Sequence, residues 1–125
     1  MRLVAIRGAT TVKTDSEEEI RTAAVELVKQ IIEKNDIKPE SDIVMMFLTM
    51  TSDLRSFNAS SAIRQGMNWQ HVPFFTSQEP EIKGMLSHCI RILVQCNLSV
   101  AQENVKHVYL GEAANLRPDL KEQAH

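Results

Sequence analysis

The sequence predicts an α+β fold, a mixed sheet of about five strands with helices on one face. Residues 2–12, 43–50, 86–95 and 105–110 are apolar or β-branched runs of strand length. In contrast, only one long stretch, after residue 16, repeats its apolar residues at helical spacing. A chain of 125 residues is most economically one domain over residues 1–125, able to bury roughly two-thirds of the surface its unfolded form exposes.

Residues 2–12, rich in small and β-branched side chains, read as the first strand. Thr14-Asp15-Ser16-Glu17-Glu18-Glu19 then reads as a helix start. Thr14 with Glu17, and Ser16 with Glu19, have capping-box spacing, and three acidic groups in one turn complement the helix dipole. Ile20, Ala24, Leu27, Val28, Ile31 and Ile32 give one amphipathic helix ending near Asn35. After a turn at Lys38-Pro39-Glu40, residues 43–50 form a nearly continuous apolar run, which predicts a strand buried on both faces with Met45, Met46 and Met50 in the core. Residues 59–66 read as a short helix stopped by Gly66, and 72–76 as the strand after the Trp69 loop. Residues 86–95 follow as a strand carrying Arg91. Ser99 with Gln102 suggests a short capped helix before a last strand over 105–110, and Arg117-Pro118-Asp119-Leu120 leads into a polar tail, about residues 116–125, expected to be mobile. Buried-reading strands with few helices to cover them suggest cover supplied by partner subunits.

Composition narrows the function classes. With 43% hydrophobic residues, 24% charged residues and a net charge of -2, the chain is ordinary for a globular protein, and no overall positive charge favours nucleic acid. The first apolar stretch is interrupted by Arg2 and Arg7 and no run approaches membrane-spanning length, so neither a signal peptide nor a span is expected and the location reads as cytoplasmic. Cys89 and Cys96, an odd number of positions apart on one strand, should face opposite sides as reduced core thiols. His71, His88, His107 and His125 lack zinc-ligand spacing, and there is no phosphate-cradling glycine loop or nucleophile elbow. No cofactor or metal is expected.

What remains is arginine, tyrosine and one glutamate. Alternation within Cys89-Ile90-Arg91-Ile92-Leu93-Val94 puts the Arg91 guanidinium on the face of Cys89 and Leu93, and a covered cation needs an anion. Arg7, Glu79 and Tyr109 complete a set suited to binding a small anion, and to electrostatic and positional catalysis rather than nucleophilic attack.

These residues lie in stretches that resemble the small monofunctional bacterial chorismate mutases of the trimeric α/β-barrel type. The similarity is carried by Ile6-Arg7-Gly8-Ala9-Thr10-Thr11-Val12, Trp69-Gln70-His71-Val72-Pro73, Gln78-Glu79, Cys89-Ile90-Arg91, His107-Val108-Tyr109-Leu110 and Leu116-Arg117-Pro118-Asp119-Leu120, in order along nearly the whole chain. The resemblance implies a homotrimeric pseudo-α/β-barrel with active sites at subunit interfaces, and the cofactor-free Claisen rearrangement of chorismate to prephenate in phenylalanine and tyrosine biosynthesis. It assigns Arg91 to the ether oxygen, where negative charge grows, and Glu79 to the ring hydroxyl as an ionised acceptor. Arg7 and Tyr109 would bind the side-chain carboxylate, and Arg64 and Arg117 would close over the second carboxylate. Leu116, Phe57 and Ala59 would add to the wall.

The chain departs from the family pattern twice. Where the family usually reads Phe-Pro-Ala-Lys, this chain has Phe57-Asn58-Ala59-Ser60-Ser61-Ala62-Ile63-Arg64, one residue longer and without the lysine. Phe74-Phe75-Thr76 replaces smaller residues that often end in cysteine, with Thr76 expected to donate a hydrogen bond near Glu79. The competing readings are a carboxylate-binding imine/enamine deaminase-like protein and a non-catalytic interaction module on the same trimeric architecture.

Overall fold

A computed structural model describes residues 1–115. In chain order the elements are β1 (Arg2–Thr11), α1 (Glu17–Asn35), β2 (Ile43–Met50), α2 (Ala59–Met67), β3 (Phe74–Gln78), β4 (Cys89–Leu98) and β5 (Val108–Tyr109), with short 3-10 turns at Gln102–Asn104 and Gly111–Asn115. The five strands form one sheet in the order β3-β2-β4-β1-β5. It is mixed: β4 runs antiparallel to both β1 and β2, whereas β3 is parallel to β2 and β5 is parallel to β1. Leu116 and Arg117, and the expectation of a mobile tail, lie outside the described residues.

The predicted helix start forms in altered detail. Ser16 is the N-cap and accepts from the Glu19 N–H, but Glu19 reaches past it to the Lys13 N–H at 3.0 Å and to the Thr14 hydroxyl. Those bonds, the Thr14 hydroxyl first, hold the Glu19 carboxyl below its usual pKa. The other end is also tied down. Asn35 donates to Ile31 O and Lys106 O and accepts from Lys106 N–H at 2.8 Å, joining the helix end to the segment before β5.

Both helices cover the same face of the sheet. Ile20, Ala24, Leu27, Val28 and Ile31 of α1 and Ala59, Ala62 and Ile63 of α2 pack on Val4, Ile6, Met46, Leu48, Ile90, Ile92, Val94 and Val108. Gly8 lets α1 sit close, since a Cβ there would stand 2.8 Å from Ile31 Cδ1 and 3.0 Å from Ile92 Cγ2. Gly66 does the same between the helices, where a Cβ would lie 2.6 Å from Val25 Cγ2. It therefore sits inside α2 rather than ending it: the helix stops at Asn68, whose left-handed backbone returns its N–H to Arg64 O and Gln65 O.

Among the described residues no α-helix covers the opposite face, which is buried only around Ala9 and Cys89. Strand β2 is accordingly buried on one side only, and Met45 sits half-buried on the open face while Met46 and Met50 enter the core. A bulge between Ile43 and Met45 leaves Val44 exposed and resets the alternation. Cys89 and Cys96 are free, buried and on opposite faces, as their spacing predicts. Burial pushes the Cys96 thiol up to about 11, with Asp42 adding to the shift. Among the described residues no helix is long and apolar enough to cross a membrane.

Candidate active site

Strand register assembles the site on the open face. Thr49 of β2 is paired with Arg91 of β4, Arg91 with Ala9 of β1, and Ala9 with Tyr109 of β5. One row of the sheet therefore reads Thr49, Arg91, Ala9, Tyr109. The next row reads Phe47, Leu93, Arg7. Residues two apart in a strand share a face, so Arg7 and Arg91 stand on adjacent rows of neighbouring strands. Together with Phe47, Thr49 and Leu93 they line a depression of about 210 Å³.

Glu79 reaches this row from just beyond β3. Its N–H donates to Met50 O at 2.8 Å, which continues the β2 pairing past the end of the strand and turns the side chain inward. One carboxylate oxygen, Oε1, accepts the Thr49 hydroxyl and lies 3.4 Å from Arg91 Nε, with side-chain exposures of 15% for Glu79 and 35% for Arg91. Arg91 Nε is buried and, among the described residues, makes no hydrogen bond. The pair is therefore a salt bridge whose Nε–H is not aligned on the carboxylate as a hydrogen bond.

Cys89 and Ala9 form a small buried cluster with Ala113, against which Tyr109 and Leu86 pack. Burial raises the Cys89 pKa, with Arg91 opposing the rise, so the thiol is a neutral packing group beside the arginine. His107, only 7% exposed, accepts the Arg7 N–H at its Nδ1 at 2.9 Å, which puts its own proton on Nε2. Burial, and then the neighbouring Arg7, lower its pKa and favour this neutral form.

The remaining predicted residues stand elsewhere. Thr76 is paired with Leu48 on the helix side of the sheet. There it donates to Asn58 Oδ1 at 3.1 Å and bonds the Ser60 hydroxyl, so the hydroxyl bound to Glu79 is that of Thr49. Ala59 is fully buried at the start of α2, and Phe57 packs on the core beneath the Arg21 guanidinium, 4.0 Å from its ring centre. Arg64 is exposed on α2. Thus Arg7, Arg91, Glu79 and Tyr109 gather on the open face, whereas Phe57, Ala59, Arg64 and Thr76 occupy the helix layer of the same chain.

A second hollow of about 310 Å³ lies beside Asn58 and Thr76. A third, of about 340 Å³, lies between Thr51-Ser52-Asp53 and the 79–87 loop, with Asp53, Glu79 and Glu81 in its wall. The third suits an anion poorly, since three carboxylates face it against Lys83 alone. The two-arginine depression, although smaller, has the right sign.

Sequence reading missed Thr49, Ala9 and His107. Thr49 and Ala9 are ordinary members of apolar strands and acquire meaning only through register. His107 lacks metal-ligand spacing in the sequence, yet its position next to the Val108-Tyr109 strand marks it as an edge group.

Fold and side chains define a small α+β protein with an arginine-lined depression on the open sheet face. The sequence matches the family model for chorismate mutase type I over residues 3–120. It is 43% identical over 120 residues to the chorismate mutase AroH of Bacillus subtilis (strain 168), spanning 96% of this chain and 94% of that one. Over 116 residues it is 39% identical to the chorismate mutase AroH of Thermus thermophilus, spanning 93% and 94%. Among solved structures, a chorismate mutase from Clostridium thermocellum superposes with a TM-score of 0.85 at 35% identity, over 90% of this chain and 98% of that one. The chain belongs to the type I chorismate mutase family.

Proposed function

We infer that this chain converts chorismate to prephenate, with the reacting ether oxygen facing Arg91. The observation that carries the reading is the arginine whose buried Nε has no hydrogen-bond partner among the described residues, set in a depression that it shares with Arg7. In the rearrangement one carbon-oxygen bond breaks as one carbon-carbon bond forms, within a single molecule and without proton transfer. Catalysis then consists of holding the reactive conformer and stabilising charge as it develops.

In this reading Arg91 meets the negative charge on the ether oxygen. Arg7 offers a planar fork to the side-chain carboxylate, with the Tyr109 hydroxyl as a second donor. Glu79, ionised, accepts the ring hydroxyl and favours positive character on the ring.

The protein works as a homotrimer, and a neighbouring copy supplies what one chain lacks. Two observations support this. The open face exposes Leu3, Phe75 and Leu93, with Phe75 edge-on to Phe47, an apolar surface that no element among the described residues covers. In addition, Arg64, Thr76 and Phe57 lie on the far side of the sheet from Arg91, so they join the site only from another subunit. Ala59 then supports that wall from within the core, Leu116 adds to it, and Arg117 joins Arg64 at the second carboxylate.

The test is direct: purified protein is mixed with chorismate, and prephenate is identified by its acid conversion to phenylpyruvate, with the mass measured by sedimentation. Turnover by a trimer is expected. A folded trimer that leaves chorismate unchanged refutes the activity, and an active monomer refutes the shared site.

A further inference from the structure

We propose that Thr49 is a positioning residue which holds the Glu79 carboxylate out of hydrogen-bonding alignment with Arg91 and so keeps the Arg91 Nε–H free for the substrate. This rests on the placement of Arg91 and Glu79 in the site put forward above.

Three groups meet at one oxygen. Glu79 Oε1 accepts the Thr49 hydroxyl, and the same oxygen is the one 3.4 Å from Arg91 Nε. Thr49 and Arg91 are direct cross-strand partners, so their side chains leave adjacent strands side by side on the same face. Glu79 is anchored through its own N–H to Met50 O, which fixes its backbone beside the strand that carries Thr49.

The result is unusual for an ion pair whose guanidinium Nε is itself buried. A guanidinium N–H beside a carboxylate ordinarily closes into a charge-assisted hydrogen bond, because a buried donor without an acceptor is costly. Here the competing hydroxyl takes the oxygen, and Arg91 Nε makes no hydrogen bond among the described residues. A hydroxyl is also the right competitor. It carries no charge, so Glu79 remains a full anion and its other oxygen remains available to a second donor. An arginine already hydrogen-bonded to Glu79 would have to break that bond before meeting the ether oxygen, and the cost would fall on the rate.

The experiment compares kcat and KM for chorismate in Thr49→Val, Thr49→Ser, Glu79→Ala, Arg91→Ala and the Thr49→Val/Glu79→Ala pair. Valine keeps the shape of threonine and removes only the donor. Thr49→Val is expected to melt close to wild type, to lose on the order of tenfold in kcat with KM nearly unchanged, and to have no further effect when Glu79 is already alanine. Thr49→Ser is expected to restore kcat. If Thr49→Val does not fold, Thr49→Ala takes its place with the same expectation. A kcat for the donor-free variant within about twofold of wild type, or a loss that persists undiminished without Glu79, overturns the proposal. If Arg91→Ala also keeps wild-type turnover, the site placement itself is wrong. If Arg91→Ala is inactive, only the role of Thr49 falls.

Discussion

Replacing Arg91 with alanine tests the electrostatic account most severely, because its effects on rate and on stability should differ widely. Suppose about half an elementary charge develops on the ether oxygen, roughly 3 Å from the guanidinium. At an effective dielectric constant of about 20 that charge is stabilised by roughly 3 kcal/mol, or about a hundredfold in rate. Water admitted to the vacated space screens part of this in the variant but restores little of it, because its dipoles are not preorganised. The stability change should be much smaller. The Arg91 side chain is about one-third exposed and its contact with Glu79 is not a closed hydrogen bond, so its loss costs about 1 kcal/mol or less after solvent screening. Glu79 retains the Thr49 hydroxyl in the variant. Chorismate consumption under initial-rate conditions and a thermal melt should therefore diverge, with kcat/KM reduced on the order of a hundredfold while the melting temperature moves by only a few degrees. A kcat/KM within about threefold of wild type would refute the role given to Arg91, and an unfolded variant would refute the claim that the arginine belongs to the site more than to the core.

Three further predictions address how the row is built. Ala9 is 3% exposed and separates Arg91 from Tyr109, so Ala9→Leu should drive a branched side chain between them and abolish prephenate formation, while circular dichroism still reports a folded sheet. At Gly8, a methyl group would meet the ends of Ile31, Ile92 and Leu27 at 2.8, 3.0 and 3.2 Å; Gly8→Ala should cost about 1–3 kcal/mol in urea unfolding, and unchanged stability would show that α1 yields freely. His107 should titrate below the ordinary histidine value because burial lowers its pKa. The unfolded state then binds the extra proton first, so the contribution of His107 is fully present above about pH 6.5 and is lost as pH falls through the depressed folded value. The stability gap between wild type and His107→Asn should narrow over that interval in urea titrations, and a constant gap would count against the neutral, accepting imidazole.

Local signals were strongest where one element agreed with itself over many residues. The long period of α1 and the strand character of β1 were legible because neither depends on a distant partner. Boundaries set by tertiary contacts were not. Strand β4 begins at Cys89, three residues later than the apolar run, because both Asp53 carboxylate oxygens accept the His88 N–H while His88 adopts a left-handed backbone. It continues to Leu98, beyond the run, because β1 extends back to Arg2 and pairs with it. Gly66 was a reasonable stop signal that close packing on Val25 overrode. The expected helix over Ser99 and Gln102 is a brief 3-10 turn, since Gln102 spends its side chain elsewhere. The four polar groups of the site could be named from the sequence through resemblance. Their gathering on one face, and the hydroxyl that divides Glu79 from Arg91, depend on which strands are neighbours and in what register.

The outer margin of β1 is finished in an uncommon way. Strand β5 pairs only with Gly8 and Ala9, which would leave the earlier half of β1 as bare backbone. Instead the Gln102 amide gives and takes one bond each with Ala5, at 2.7 and 2.8 Å, and His107 accepts from Arg7. Two side chains impersonate a missing strand. A stray chain that sought to extend the sheet here would have to evict both, so this rim is poorly suited to recruiting foreign strands. The breadth of the sheet is thereby set by two single residues rather than by a length of backbone, and one substitution at Gln102 would uncover a binding rim without disturbing the row that carries Arg91.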